Sequence, residues 1–353
     1  MKAASRLEIR PVDIKNASRE GYAAFNAFAN LLRAERLPDD PPRSLEETIQ
    51  QAQNIPPFVD LHVWVVDRPD NSGFAASSDV QIVRLEQNQH IAPFSIDVLP
   101  EFREQGLEVK LLGKITEVAE REGRSLLISS TNSRVPSGEA LMRELGAEKA
   151  LESHTNQLDL LELDRKLIEQ WIGKAAERAG GFELLFWEGA YPEKHLAAIA
   201  ELMEVMNTAP RGSLQVEDFK MTPELLRQIE QATFATGNRR WTMVAQEKSS
   251  GRFAGYTELS WNPRRGQILN QLGTGVLPEY RNFGIGRWLK AAMLDRVLRE
   301  LPEARFVRTG NADSNAPMLK INHALGFKPY TAEAQWQIET TRVREYLDNY
   351  RGS

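Results

Sequence analysis

The sequence predicts an α/β fold, built as two related domains in tandem. Three observations predict it. The length, 353 residues, suits two domains of ordinary size. Strand-like and helix-like segments alternate along the whole chain. One strand–turn–helix stretch, from Gln271 to Phe327, has a fainter copy half a chain earlier. These place one domain at 1–160, a helical linker at 161–181 and a second domain at 182–353.

In the first half, Leu7–Val12 reads as a first strand ended by proline. Ala17–Arg36 carries Tyr22, Phe25, Phe28, Ala29 and Leu32 at helical spacing. Pro38, Pro41 and Pro42 break it, and Ser44 with Glu47 spells a capping box for the next helix. Strands follow at Phe58–Val66, Gly73–Leu85 and His90–Leu99. The run Pro100–Glu108 then matches Pro278–Gly286 position for position. A helix to Glu122, a strand at Ser125–Ser129 and a helix at Ser137–Leu145 complete the copy, with Gly146-Ala147 standing where the other half has Gly326-Phe327. Asp164–Ala179 is helical in pattern and ends at Gly180-Gly181.

The second half opens with a strand at Phe182–Trp187 and a helix expected over Pro192–Asn207. Thr222 caps another helix, and Trp241–Gln246 with Phe253–Ser260 forms a hairpin. Next come a strand at Ile268–Leu277, a Gly-rich turn, a helix at Arg287–Arg299 and a strand at Arg305–Thr309. A short helix follows Asn315, then a strand at Ala334–Glu339 and a terminal helix at Arg342–Tyr350. Glycines let backbone N–H groups approach an anion closely, and a helix N-terminus adds free donors and partial positive charge. A Gly-x-Gly turn alone also fits an ordinary tight turn without a ligand.

Two motifs together narrow the reading. Val276-x-Pro278-x-x-Arg281-x-x-Gly284-x-Gly286 resembles the acyl-CoA pyrophosphate loop of the GNAT superfamily of N-acetyltransferases. Asn315-x-x-Met318-x-x-x-Asn322-x-x-Leu325-Gly326-Phe327 resembles that superfamily's following helix and final turn. The resemblance implies two GNAT-like domains, each a mixed, mostly antiparallel sheet with a central parallel-strand split flanked by helices. It also implies acetyl-CoA as cosubstrate. Backbone groups of Gly275, Val276 and Leu277 would pair with the pantetheine arm. Arg281 and the N–H groups of Asn282, Phe283, Gly284, Ile285, Gly286 and Arg287 would hold the pyrophosphate, with Asn311 and Asn315 completing the cofactor set. Asn315 also suits a helix N-cap before Ala316-Pro317.

The earlier copy departs from the motif in its chemistry. Glu108 replaces the last glycine, and Glu101 and Glu104 lie nearby. Carboxylates at a few ångströms from a pyrophosphate repel it by about 1 kcal/mol in water and more where water is thinned out. The first domain is therefore expected to keep the fold without the cofactor, a weak or altered acyl-CoA site being the competing reading.

Direct transfer to an amine needs a base. Glu258, in the apolar strand beside the cofactor strand, is the candidate; a solvent-facing strand position is the alternative. Asn270 and Thr274 are alternates, expected on one strand face at period two. The tyrosine that resemblance implies as the acid falls at Asn322, a very poor acid, so that Tyr256, Tyr280 or Tyr330 would substitute, or the ammonium product or solvent would supply the proton. No cysteine exists, which excludes disulfides and a cysteinyl acyl-enzyme. Histidines such as His195 and His323 show no metal spacing, and Trp241, Trp261 and Trp336 read as core aromatics.

Apolar content of 41%, charged content of 26% and the lack of an 18-residue apolar run predict a folded protein without a membrane span. Met1–Arg6 has no apolar signal core, so a cytoplasmic location is expected. Net charge −5 without a basic stripe speaks against nucleic acid. A dinucleotide fold would end the strand after the glycines in an acidic residue, where Arg308 and Thr309 stand. The expected reaction is acetyl transfer to a primary amine of a small molecule; a non-catalytic acyl-CoA sensor is the other class considered.

Overall fold

The computed structural model describes residues 7–351. The N-terminal residues read above as lacking a signal core lie outside the described residues. In chain order the elements of the first half are β1 (Ile9–Val12), α1 (Arg19–Arg36), α2 (Leu45–Gln53), β2 (Val59–Asp67), β3 (Phe74–Val83), β4 (Ile91–Val98), α3 (Leu107–Arg121), β5 (Leu126–Asn132) and α4 (Pro136–Glu144). They continue as β6 (Glu148–Asp159), α5 (Arg165–Arg178), β7 (Phe182–Glu188), α6 (Leu196–Met203), α7 (Pro223–Ala235), β8 (Arg239–Glu247) and β9 (Phe253–Trp261). The last are β10 (Ile268–Val276), α8 (Ile285–Glu300), β11 (Phe306–Ala312), α9 (Ala316–Leu325), β12 (Lys328–Glu339) and α10 (Thr340–Arg351).

Helix starts follow the side chains that cap them. Ser18 accepts from Gly21 N at 3.1 Å and Thr222 from Leu225 N at 3.2 Å. Ser44 and Glu47 close the expected capping box, with Ser44 N donating to Glu47 at 3.0 Å. Each such cap stabilises its helix by about 1 kcal/mol.

The chain folds into two compact units, and neither is contiguous. One unit comprises residues 7–152, Ser213–Glu217 and residues 333–351. Its sheet runs β1-β2-β3-β4-β5-β12. Neighbours are antiparallel except β4 and β5, which are parallel over Ile91–Pro93 and Leu126–Ile128. Leu107, Leu111, Leu112 and Ile115 of α3 are wholly buried against this sheet. At about 1.5–3 kcal/mol for each large apolar side chain removed from water, that row is a main stabiliser of the unit. Trp336 and Ile338 of β12 and Val343 and Leu347 of α10 belong to the same core. The terminal helix, without a role in the sequence reading, is thus a wall of this unit; Arg344 pairs Glu120 of α3 at 2.9 and 2.6 Å.

The other unit comprises Ser153–Gly212 and Asp218–Ala332. Its sheet runs β6-β11-β10-β9-β8-β7. Ser153–Asp159 of β6 lies antiparallel to β11, and β10 is parallel to β11. Leu289, Met293, Leu294 and Val297 of α8 pack on one sheet face with Leu259, Leu269 and Val307. Tyr191, Leu196, Ile199 and Val205 cover the other face with Val244 and Tyr256.

Three expectations need correction. The domain limits at 160 and 182 do not hold: β6 from the first half completes the second unit's sheet, and β12 with α10 completes the first's. The segment expected as a linker contains α5, whose Trp171 and Ile172 pack on the second unit's core. The helix expected over Pro192–Asn207 is regular only at Leu196–Met203, with 3₁₀ turns at Glu193–His195 and Glu204–Thr208. The tighter second turn sets Val205 against Gly275 and points Thr208 at the glycine loop.

Candidate active site

In the second unit, β10 and β11 pair from Ile268↔Phe306 to Gln271↔Thr309 and then part. At the point of parting β10 also changes register against β9, between Gln271 and Thr274. Such a bulge leaves ladder groups unpaired and re-aims side chains. The backbone here is closely covered. A Cβ at Gly273 would collide with the Tyr256 hydroxyl, one at Gly275 with Val205, and one at Gly255 would lie 2.7 Å from Gly275 O.

The bulge overturns the expectation that Asn270 and Thr274 share a face. Asn270 stands opposite Ser260, whereas Thr274 stands opposite Thr257. Thr274 Oγ1 lies 2.7 Å from Thr257 Oγ1, and Gln271 Nε2 donates to Thr257 Oγ1 at 3.0 Å and to the Glu258 carbonyl at 2.6 Å.

After β10 a 3₁₀ turn at Pro278–Tyr280 leads to Asn282, with φ of 70°, and Gly284, with φ of 84°. Two left-handed residues two apart, followed directly by α8, turn successive N–H groups to one side, an anion-binding concavity. The first N–H groups of α8, including Ile285, Gly286 and Arg287, lack helical partners by position. A Cβ on Gly286 would make only ordinary contacts, 3.7 Å from Ile321 and Val276, so packing within the chain does not demand glycine there. Arg281 Nε donates to Val276 O at 3.1 Å and its Nη2 to Thr208 Oγ1 at 2.9 Å. Phe283 is exposed beside Phe182, and the Arg287 guanidinium lies over the Trp171 ring at 5.4 Å. One expectation fails: the Leu277 N–H is spent on Ala254 O at 2.9 Å.

Asn315 is the N-cap of α9, its Oδ1 3.4 Å from Met318 N, and its side-chain amide N–H groups have no hydrogen-bond partner among the described residues. Gly326, with φ of 92°, ends that helix.

Glu258 is 4% exposed, so it is not a solvent-facing strand residue. Its Oε1 accepts from the Tyr191 hydroxyl and from Thr242 Oγ1 at 2.7 Å, and lies 3.7 Å from Arg240 Nε. Arg240 in turn pairs with buried Glu230, which also meets Arg227 at 2.5 Å. Burial and then the Glu258 charge push the Tyr191 phenol upward, so it stays a donor. Burial, then the same charge, raises Tyr256 too. This ionic cluster on the α6 side of the sheet was not legible from sequence, because its members come from four separate segments.

Asn322 is wholly buried. Its Oδ1 accepts from Lys290 Nζ at 2.7 Å and its Nδ2 donates to Asn311 Oδ1 at 2.7 Å. It therefore does not stand free in the split as an acid would. Tyr280 donates to Glu247 at 3.2 Å and Tyr330 stacks under Arg308 at 4.2 Å, so neither hydroxyl is placed by these contacts in the split. Lys290, 2% exposed, was missed by sequence reading. A lysine at a core position of α8 is the signal that would have found it.

The first unit repeats the loop's backbone. Glu104 has φ of 63° and Gly106 φ of 70°, in the places of Asn282 and Gly284. The charges differ. Arg103 makes the same bond as Arg281, to Val98 O at 3.0 Å, but its guanidinium is closed by Glu35 at 2.7 and 2.6 Å. Glu108 lines a cavity of about 300 Å³ at the parting of β4 and β5, together with Ser95, Asp97, Ser129 and Glu333. Burial pushes the Glu333 carboxyl upward. The N-cap of α4 is Val135, which makes no side-chain cap bond and stands in the place of Asn315.

Among the described residues no group of His, Cys, Asp and Glu side chains is placed to hold a metal, and no helix is long and apolar enough to cross a membrane. Trp241, Trp261 and Trp336 are core residues, each at most 3% exposed.

Residues 199–327 match the acetyltransferase (GNAT) family model. By sequence, no curated protein matches the chain. Among solved structures, a tandem GNAT protein from the clavulanic acid biosynthesis pathway, solved without AcCoA, is 23% identical with a TM-score of 0.74, over 94% of this chain and 98% of that one. A GCN5-related N-acetyltransferase from Sphaerobacter thermophilus is 16% identical with a TM-score of 0.64, over 94% and 96%. A glucosamine N-acetyltransferase region of a fungal multi-domain β-N-acetylglucosaminidase is 12% identical with a TM-score of 0.64, over 95% of this chain and 38% of that one. Residues 199–327 thus match the GNAT acetyltransferase family, and the chain has the fold of a tandem GNAT protein.

Proposed function

We propose that the second unit moves an acetyl group from acetyl-CoA directly to a primary amine of a small molecule, and that the first unit does not take the cofactor. The observation that carries this reading is the contrast between the two loops. The same backbone, with two left-handed residues before a helix, ends in Gly286 with an arginine bonded to neutral groups in one unit. In the other it ends in Glu108 with an arginine closed by Glu35. Only the first combination offers an uncommitted positive charge and room for a pyrophosphate.

The pantetheine arm would enter the parting of β10 and β11, held by Gly275 and Val276 and by the side-chain amide of Asn315. The Leu272–Gly273 bulge would bring an unpaired backbone donor to the thioester carbonyl, where charge grows during attack. Glu258 would serve as base, through water. Tyr191 and Thr242 fix its Oε1, while Oε2 has no hydrogen bond among the described residues. The acceptor is a small amine such as an amino sugar or aminoglycoside, and the location that fits is the cytoplasm, where acetyl-CoA is made.

A second reading, an acyl-CoA sensor without turnover, is favoured by Asn322, which lies buried where an acid would be expected. Calorimetry with acetyl-CoA and thiol release over a panel of amines separate the two. Binding of acetyl-CoA with no thiol release from any amine would overturn the enzyme reading and leave the sensor.

A further inference from the structure

Lys290 lies on the core face of α8, 2% exposed, with its Nζ 5.4 Å from the Phe327 ring centroid. An ammonium in such a place is unfavourable unless it serves something. Its hydrogen bond goes to Asn322 Oδ1 at 2.7 Å. That bond has a directional consequence. An ammonium has donors only, so Asn322 must turn its oxygen to it, and its Nδ2 must then face Asn311. Asn311 accepts through Oδ1 at 2.7 Å, and its Nδ2 has no hydrogen-bond partner among the described residues. Asn311 lies on β11 two residues beyond Thr309, the last residue paired with β10, and is half-buried. The chain of amides thus begins at a buried charge and ends in an unused N–H donor where the two parallel strands have parted.

We propose that Lys290 is a positioning residue for acyl transfer: by donating to Asn322 it sets the polarity of the amide chain, so that Asn311 presents an N–H to the sulfur leaving group in the split. The proposal rests on the acetyl transfer assigned above to the second unit. In that step the amine nitrogen bonds to the thioester carbonyl carbon, the C–S bond breaks, and its electron pair stays on sulfur as thiolate. The amine's proton goes to the base. No proton travels along the amides; the Asn311 N–H only donates a hydrogen bond to the growing negative charge. Burial alone lowers Lys290 to about 7, without a carboxylate contribution, so the ammonium form that fixes the direction of the bond is the one present below that pH.

The test compares Lys290→Met and Lys290→Gln in the full chain, reading kcat, KM for acetyl-CoA, coenzyme A affinity by calorimetry and Asn side-chain amide signals by NMR. Lys290→Met is expected to lower kcat roughly tenfold or more, the scale of one lost transition-state donor, with KM and affinity nearly unchanged. Lys290→Gln, whose amide still donates, is expected to recover most of kcat. The Asn311 amide signal should move when coenzyme A is added to the wild type and fail to move in Lys290→Met. An unchanged kcat in Lys290→Met, or equal losses in kcat and affinity, overturns the proposal. Should no amine be acetylated although acetyl-CoA binds, the enzyme reading fails separately. The NMR arm then decides: an Asn311 signal indifferent to coenzyme A sinks the proposal, and one that moves only with Lys290 present sustains it.

Discussion

Arg103 is closed by Glu35 in a two-pronged ion pair of 2.7 and 2.6 Å, while Arg281, its counterpart in the second unit, rests on the hydroxyl of Thr208 at 2.9 Å. Both arginines keep the same bond to a strand carbonyl. The difference lies in whether the guanidinium retains charge for a phosphate. Wild-type protein is therefore expected to bind one acetyl-CoA per chain by calorimetry. Glu108→Gly alone should leave that stoichiometry at one, because Arg103 remains paired. Combining it with Glu35→Ala should reveal a second site. Two equivalents bound by the wild type would contradict the charge argument.

Gly286 separates binding from folding. Its Cβ space is open, with the nearest atoms at 3.7 Å, so Gly286→Ala should melt within about 1 kcal/mol of the wild type. Gly286→Glu should fold equally well and lose acetyl-CoA binding. Micromolar affinity surviving in Gly286→Glu would remove the loop from the cofactor site. Gly284→Ala differs, because φ of 84° suits glycine, and should cost about 1–2 kcal/mol of stability.

Lys290 should reveal itself in stability as well as rate. Its pKa falls from 10.5 unfolded to about 7 folded. The native state is thus penalised as pH falls from 10.5 to 7, by about 4–5 kcal/mol in all, and the penalty is constant below 7 and absent above 10.5. Replacing it by Met removes this burden but orphans Asn322 Oδ1, which costs about 1–3 kcal/mol. Denaturant titrations should find Lys290→Met more stable than wild type at pH 6.5, and level or less stable at pH 9.5. A variant destabilised equally at both pH values would show that the lysine carries no buried-charge burden.

Glu258→Gln should cut turnover while leaving acetyl-CoA affinity unchanged. It should also lower stability by about 1–3 kcal/mol, because the buried Arg240 guanidinium loses the carboxylate charge at 3.7 Å, while the amide oxygen can still accept from Tyr191 and Thr242. Turnover at the wild-type rate, measured per folded molecule, would clear Glu258 of the base role and leave it a member of the ionic cluster.

The elements that the sequence disclosed are those whose signal is local. Ser44 with Glu47, Thr222 before Pro223, and the glycines at 284 and 286 act within four residues, and each sits where its chemistry indicates. What stayed hidden depends on distant partners. β6, with its polar run of Glu, Lys, Ser, His, Thr, Asn and Gln, has little strand propensity of its own; its order comes from seven residue pairs with β11. The bulge in β10 likewise follows from pairing to β9, and it alone separates Asn270 from Thr274. The Lys290–Asn322–Asn311 chain joins α8, α9 and β11, and no spacing rule connects them.

The exchange of β6 and β12 also fixes a timetable. Residues are made from the N-terminus, and domains tend to fold as their segments emerge. The second unit has all its strands once Ala332 is made. The first unit lacks the strand that pairs with Leu126–Asn132 until Glu333–Glu339 has followed, and lacks its α10 wall until Thr340–Arg351 is made. The half that is synthesised first is the half that closes last.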